Sequence, residues 1–143
     1  YIMGLSQSLR YKQWTLGMNF RANIGNYVYN GMAMNAGAWE TVSYNNSQIN
    51  NLNVSFLKTG FQTRQYLSDY YVENASFLKL DNLSLTYNVG KISKWASLTV
   101  SALVQNVFTI TGYSGTDPEV PNGMDKSFYP RPRTYSLSFG LQF

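Results

Sequence analysis

The feature that most constrains this chain is the two-residue alternation of its last residues, Pro132 to Phe143, PRTYSLSFGLQF. Tyr135, Leu137, Phe139, Leu141 and Phe143 fall on one side of an extended chain, and Thr134, Ser136, Ser138, Gly140 and Gln142 on the other. Successive side chains of a strand point to opposite faces, so one face is wholly apolar and the other has no large apolar group. A single strand of this kind also suits a soluble sandwich. What decides the matter is repetition.

The pattern recurs four times. Met3, Leu5, Leu9 and Tyr11 alternate with Gly4, Ser6, Ser8 and Arg10, with Gln7 the one polar residue in the apolar phase. Trp14, Leu16, Met18, Phe20, Ala22 and Ile24 alternate with Thr15, Gly17, Asn19, Arg21, Asn23 and Gly25. Leu83, Leu85, Tyr87 and Val89 are set against Ser84, Thr86 and Asn88, although upstream Leu78 and Leu80 are out of phase with them. A β-bulge near Asp81-Asn82 would reconcile the two halves, as would a part standing above a membrane. Leu98, Val100, Ala102 and Val104 alternate with Thr99, Ser101, Leu103 and Gln105, Leu103 being the exception. The expected strands are residues 3–11, 14–25, 76–89, 97–108 and 133–143. Long connections cover about 26–75 and 109–132; Asn53–Lys58 suggests a short strand or turn within the first.

None of the five apolar faces carries a charge, which matters because Arg or Lys in a lipid-facing band costs ~2–4 kcal/mol at the bilayer centre. Tyr11, Trp14, Tyr87, Trp95, Phe108 and Tyr135 gather near strand ends, as an interfacial girdle requires. Short and long connections alternate, with short turns at Lys12 and Lys91 on one side. The expected fold class is all-β: an antiparallel transmembrane β-barrel. Five strands do not close such a barrel, and open edges are not satisfied by lipid. The chain is therefore expected to be the C-terminal part of a larger barrel, and its start at Tyr1, with no signal peptide, fits a piece of a longer protein.

Composition narrows the function. Charged residues are 13% and aromatics 16%, with twelve tyrosines. There is no cysteine and no histidine, which removes thiolate chemistry, the usual general base and the commonest metal ligand. A catalytic role is not expected; Glu73 and Asp81 have no spacing recognisable as a glycosidase pair. The net charge of +4 is scattered, so nucleic acid is a poor partner. The sequons at Asn45, Asn53, Asn74 and Asn82 read as products of Asn/Ser-rich sequence in a bacterial protein.

Three stretches carry a more specific likeness: YYVENASFLKLDNLSLTYNV (residues 70–89), VSALVQNVFTITGYSGTDPEV (100–120) and YPRPRTYSLSFGLQF (129–143), with GLSQSLRYKQWTLGMNF similar too. Their content and order resemble the C-terminus of SusC/RagA-type TonB-dependent outer-membrane transporters of Bacteroidetes. The resemblance implies a 22-stranded barrel filled by an N-terminal plug, a location in the outer membrane of a Gram-negative bacterium, and energy coupling to the TonB complex through the missing N-terminal part. It also implies a SusD-like surface lipoprotein as a lid, and an oligosaccharide or peptide as cargo. No cofactor and no metal are implied, and Asp117, Glu119 and Asp125 miss the spacing of an EF-hand loop.

On that resemblance, Tyr27, Tyr29, Trp39, Tyr44, Tyr66, Tyr70 and Tyr71 are candidate platforms for stacking on sugar rings. The plainer alternative, that they pack the loop on itself or on the lid, is favoured. Tyr113, Asp117 and Glu119 are candidate substrate or lid contacts. Asn19, Arg21, Asn23 and Gln105 are expected to face the lumen or plug. Tyr135, Leu137, Phe139, Leu141 and Phe143 resemble an outer-membrane assembly signal while also facing lipid. The rival readings are a non-energised porin or adhesin barrel and a soluble glycan-binding β-sandwich.

Overall fold

The computed structural model describes residues 1–42, 51–126 and 129–143. Along them run β1 (Ile2–Tyr11), β2 (Trp14–Asn23), β3 (Tyr27–Asn30), α1 (Gly31–Ala36), α2 (Phe56–Thr59), β4 (Val72–Asn74), β5 (Phe77–Lys91), β6 (Ser97–Thr111), β7 (Met124–Asp125) and β8 (Thr134–Gln142). Single turns of 3₁₀ helix lie at Trp39–Thr41, Asp69–Tyr71 and Pro121–Gly123. Two compact units result: a sheet unit of residues 1–24, 77–111 and 131–143, and a loop unit of residues 25–76 and 112–130.

The sheet unit is five antiparallel strands in the order β1-β2-β5-β6-β8. Register turns the alternation of each strand into continuous bands. Leu9, Leu16, Leu85, Ala102 and Leu137 form one row across all five strands. Tyr11, Trp14, Tyr87, Val100 and Phe139 form the next on the same face, with the Trp14 and Tyr87 rings 4.5 Å apart. The opposite face carries rows such as Ser6, Asn19, Asn82, Gln105 and Thr134. Gln7 sits opposite Met18 on the apolar side and Leu103 opposite Ser84 and Ser136 on the polar side, so each exception is a single misfit within its row. The apolar face stays largely open: Leu137 is 64% exposed and Phe139 66%. A contiguous apolar surface of this kind has to be covered by lipid or protein.

The phase conflict in β5 is resolved at one residue. Asn19 pairs with Asn82 and Phe20 with Leu80, leaving Asp81 as the extra residue of a bulge. Leu78 and Leu80 thereby pair with Ala22 and Phe20, rejoining the apolar face, while Lys79 pairs with Arg21 on the other. The Asp81 carboxylate accepts two bonds from Arg21, Nε at 2.9 Å and Nη2 at 3.1 Å. Two parallel N–H···O bonds fix the geometry as well as the charge.

The loop unit, where sequence periodicity stops, has its own small sheet of order β4-β3-β7. β3 pairs antiparallel with β4 and parallel with β7, the latter through Tyr29–Met124 and Asn30–Asp125. Gly31 is needed at this junction, because a Cβ there would lie 2.6 Å from the Asp125 carbonyl oxygen. Residues 53–58, read as a short strand or turn, make a turn that leads into α2, which ends at Gly60 in the left-handed conformation. Glycine tolerates that φ without a steric penalty.

Candidate functional site

In the sheet unit, strand alternation places Asn19, Arg21, Asn23 and Gln105 on one face, the polar one. Arg21 is the best defined of them. Its guanidinium is held by Asp81 and lies 5.9 Å from the centre of the Phe77 ring, while the Lys79 ammonium is 5.3 Å from the same ring. Cations over an aromatic face are attracted by its quadrupole. Lys79 is 2% exposed. Sequence reasoning singled out Arg21 for this face but gave neither Asp81 nor Lys79 a place beside it. On the other face, Tyr135, Leu137, Phe139 and Leu141 line up along β8, with Phe143 just beyond it.

In the loop unit, two buried clusters hold the segments together. Val28, Ala75 and Tyr113 form one, with Val120 against it. Ala33, Met34 and Tyr71 form the other, with Tyr29 and Phe61 against it. Polar bonds stitch the same segments. The Asn30 side chain caps α1 by accepting from the Ala33 N–H at 2.9 Å, and its amide donates to Glu73 Oε1 at 2.9 Å and Ser114 Oγ at 3.0 Å. Glu73 also accepts from the Ser114 N–H at 2.8 Å and hydroxyl at 2.7 Å. Tyr113 donates its hydroxyl to the buried Asp125 carboxylate at 2.8 Å. Burial first, then that bond and the Asp125 charge, raise the Tyr113 pKa, so the phenol stays a neutral donor. Burial also raises the Tyr71 pKa, with Tyr70 and Tyr29 adding to the effect.

These bonds make Glu73 the hub between three stretches distant in sequence. Replacing Glu73 with Ala strands the Asn30 amide and both Ser114 donors in a half-buried setting, a cost of ~2 kcal/mol. The expected outcome is faster limited proteolysis within residues 25–76 and 112–130 of the full-length protein, with sheet segments still protected. Glu73→Gln keeps one acceptor and should fall between; cleavage of Glu73→Ala at the native rate would show that the hub is dispensable.

The tyrosines singled out from sequence divide by burial. Tyr71 and Tyr113 are buried, and so is Asp117, whose carboxylate accepts from the Glu119 N–H at 3.0 Å. Tyr29 is half-buried and accepts from the Leu67 N–H at 3.0 Å. Tyr27, Trp39, Tyr66 and Tyr70 are exposed, with Tyr70 edge-on to Tyr71 at 5.0 Å and to Phe61 at 5.7 Å. Tyr44 lies outside the described residues. A cleft of about 550 Å³ opens beside Tyr70, lined also by Tyr71, Lys58, Ser55, Glu73 and Ser114. A neighbouring one of about 390 Å³ is lined by Asn30, Met32, Ser114, Thr116, Asp125 and Tyr129. An exposed aromatic ring beside hydroxyls, one cation and one carboxylate suits a polar ligand. Asn30, Glu73 and Ser114 were not read from the sequence; an Asn directly before GMAM is a capping signal, but nothing local foretells its distant partners. Among the described residues no three acidic side chains converge as a metal site would need.

No protein-family model matches the chain. Over 99% of its length it is 36% identical to the TonB-dependent receptor SusC of Bacteroides thetaiotaomicron, and over all of it 27% identical to a TonB-dependent receptor of Formosa agariphila. It spans about 15% of the first of these relatives and 16% of the second. Among solved structures, the RagAB peptide transporter superposes with a TM-score of 0.80 at 24% identity, covering 98% of this chain and 17% of that one. The RagAB peptide importer in its open-open state gives 0.77 at 23% identity, covering 99% and 17%. The fold match thus extends over both units.

Proposed function

Because the chain belongs to the SusC/RagA-type TonB-dependent transporters and corresponds to their C-terminal barrel portion, we propose that it supplies five staves and two outward-facing loops of an outer-membrane nutrient importer. The observation that carries this reading is the register-matched sheet. Five strands present one uncharged face, and the match to a curated TonB-dependent receptor runs along the whole chain.

In this reading the apolar rows face lipid and the polar rows, Asn19, Arg21, Asn23 and Gln105 among them, face the plug of a 22-stranded barrel. Edge strands β1 and β8 pair with strands supplied by the rest of the transporter, since unpaired backbone groups are costly in hydrocarbon. The short turns at Lys12 and Lys91 face the periplasm and the loop unit faces outside. There, exposed Tyr27, Trp39 and Tyr70 contact cargo or a SusD-like lid, and buried Tyr71, Tyr113 and Asp117 hold the loops in shape. Cargo is an oligosaccharide or a peptide, and movement is driven from the inner membrane through TonB. The chain performs no chemistry on it.

The test is uptake by the intact transporter. Deleting its gene should abolish uptake of one oligosaccharide or peptide class and leave other carbon sources unaffected. A lipoprotein should co-purify with the tagged full-length protein. Unchanged uptake of every such nutrient, with no lipoprotein retained, would overturn the proposal.

A further inference from the structure

Charge is distributed unevenly along the sheet. At the short-connection end, residues 8–17, 84–100 and 135–143 hold Arg10, Lys12, Lys91 and Lys94 and no Asp or Glu. Of the seven acidic residues, Asp81 lies at the bulge of β5, away from this end, and the remaining six belong to the loop unit. All four cations are exposed and, among the described residues, none is paired with an acidic side chain. A carboxylate at Phe143, which shares a groove of about 220 Å³ with Lys91 and Lys94, would offset one charge and leave three.

Apolar and aromatic groups are interleaved with these cations. The Lys12 ammonium lies 5.4 Å from the centre of the Tyr11 ring, beside the Trp14–Tyr87 pair. The β5–β6 connection is closed by the Ile92 N–H donating to the Ala96 carbonyl at 2.9 Å and the Trp95 N–H donating to Ser93 Oγ at 3.2 Å. That closure leaves Ile92 52% exposed between Lys91 and Lys94, and Trp95 82% exposed just after Lys94. Trp and Tyr settle at the headgroup level, while lysine stems reach past them to water and phosphate. Basic residues at an anionic membrane surface add about 1 kcal/mol of attraction each.

We infer that the short-connection end of the sheet is a phospholipid-phosphate face, seating Lys12, Lys91 and Lys94 on the headgroups of anionic glycerophospholipids of the inner leaflet, an inference that rests on the barrel reading above. The aromatic rings set the depth and the lysines select the charge of the lipid. Arg10, one residue inside the turn, completes the basic rim.

The test uses the full-length transporter in nanodiscs of phosphatidylcholine with a minor share of phosphatidylglycerol, with retained lipid counted by mass spectrometry after detergent exchange. Wild type should retain phosphatidylglycerol enriched about fivefold or more over the bulk mixture. The triple variant Lys12→Gln, Lys91→Gln, Lys94→Gln should return to the bulk ratio, whereas Lys58→Gln in the loop unit should not. Equal retention by wild type and triple variant would overturn the inference and leave the barrel reading standing. So would displacement by millimolar inorganic phosphate, which marks a small-anion site, or selective retention of lipopolysaccharide, which places this end at the outer leaflet. Failure of the wild type to insert into phosphatidylcholine alone would overturn both readings together.

Discussion

Deleting Asp81 from the full-length protein is expected to straighten β5 and to cost no more than ~1 kcal/mol, about the same as neutralising it. Asp81 is the one residue that β5 carries beyond its β2 partners. Without it, Asn82 follows directly on Leu80, so Leu78, Leu80 and Leu83 alternate unbroken with Lys79 and Asn82, and the β2 pairings Asn19–Asn82, Phe20–Leu80 and Arg21–Lys79 are all kept. Leu78 and Leu80 stay on the apolar face, and Lys79 stays opposite Arg21. What is lost is the Asp81 carboxylate that Arg21 binds. Asp81→Asn keeps the residue count and removes only the ion pair, whose side chains are 33% and 30% exposed, so its cost should stay near ~1 kcal/mol or below. Urea midpoints in detergent or liposomes measure both. A deletion midpoint far below that of Asp81→Asn would mean that the bulge itself, and not only its carboxylate, is needed by the sheet.

A large effect is expected from Ala102→Arg. Ala102 sits mid-row between Leu85 on β5 and Leu137 on β8, on the uncharged face. An arginine at the centre of a lipid-facing band costs ~2–4 kcal/mol. Its neighbour Ser101, paired with Thr86 and Ser138, points the other way. Ser101→Arg therefore leaves the lipid face intact and is expected to insert normally. Insertion efficiency into vesicles and the unfolding midpoint should both fall for Ala102→Arg and hold for Ser101→Arg. The reverse ranking would assign the polar rows to lipid.

The sheet unit was legible in the sequence because lipid-facing strands must announce themselves. Each is about ten residues or longer and each carries the same uncharged phase, so Trp14–Ile24 or Tyr135–Phe143 identifies itself without tertiary information. Even the bulge left a trace, since Leu78 and Leu80 break phase with Leu83 and Leu85 at Asp81-Asn82. The loop unit was not legible, for an equally physical reason. β3, β4 and β7 have four, three and two residues, too few for a period to show. What fixes them is long-range: Val28 meets Ala75 and Tyr113, and Glu73 meets Asn30 and Ser114. No local pattern encodes such partners. The burial of Tyr71 and Tyr113 follows from the same contacts, which is why composition alone offered every loop tyrosine equally as a ligand platform.

The pairing of Asn23 with Phe77 has a consequence for how such a chain diversifies. The two ends of the segment 25–76 leave the sheet from directly opposed residues, and Phe77 is paired in turn with Thr111, where the second segment departs. The closing distance across the root of the first segment is thus already set by backbone pairing, and loop-closure entropy grows only slowly with inserted length. Segments 25–76 and 112–130 behave as one interchangeable cassette plugged into a fixed socket. Replacing both together leaves every row of the sheet untouched, whereas replacing either alone removes partners of Glu73 or Asp125. Sequence change in the loop unit is therefore expected to come as a pair of co-inherited pieces while the strands stay as they are.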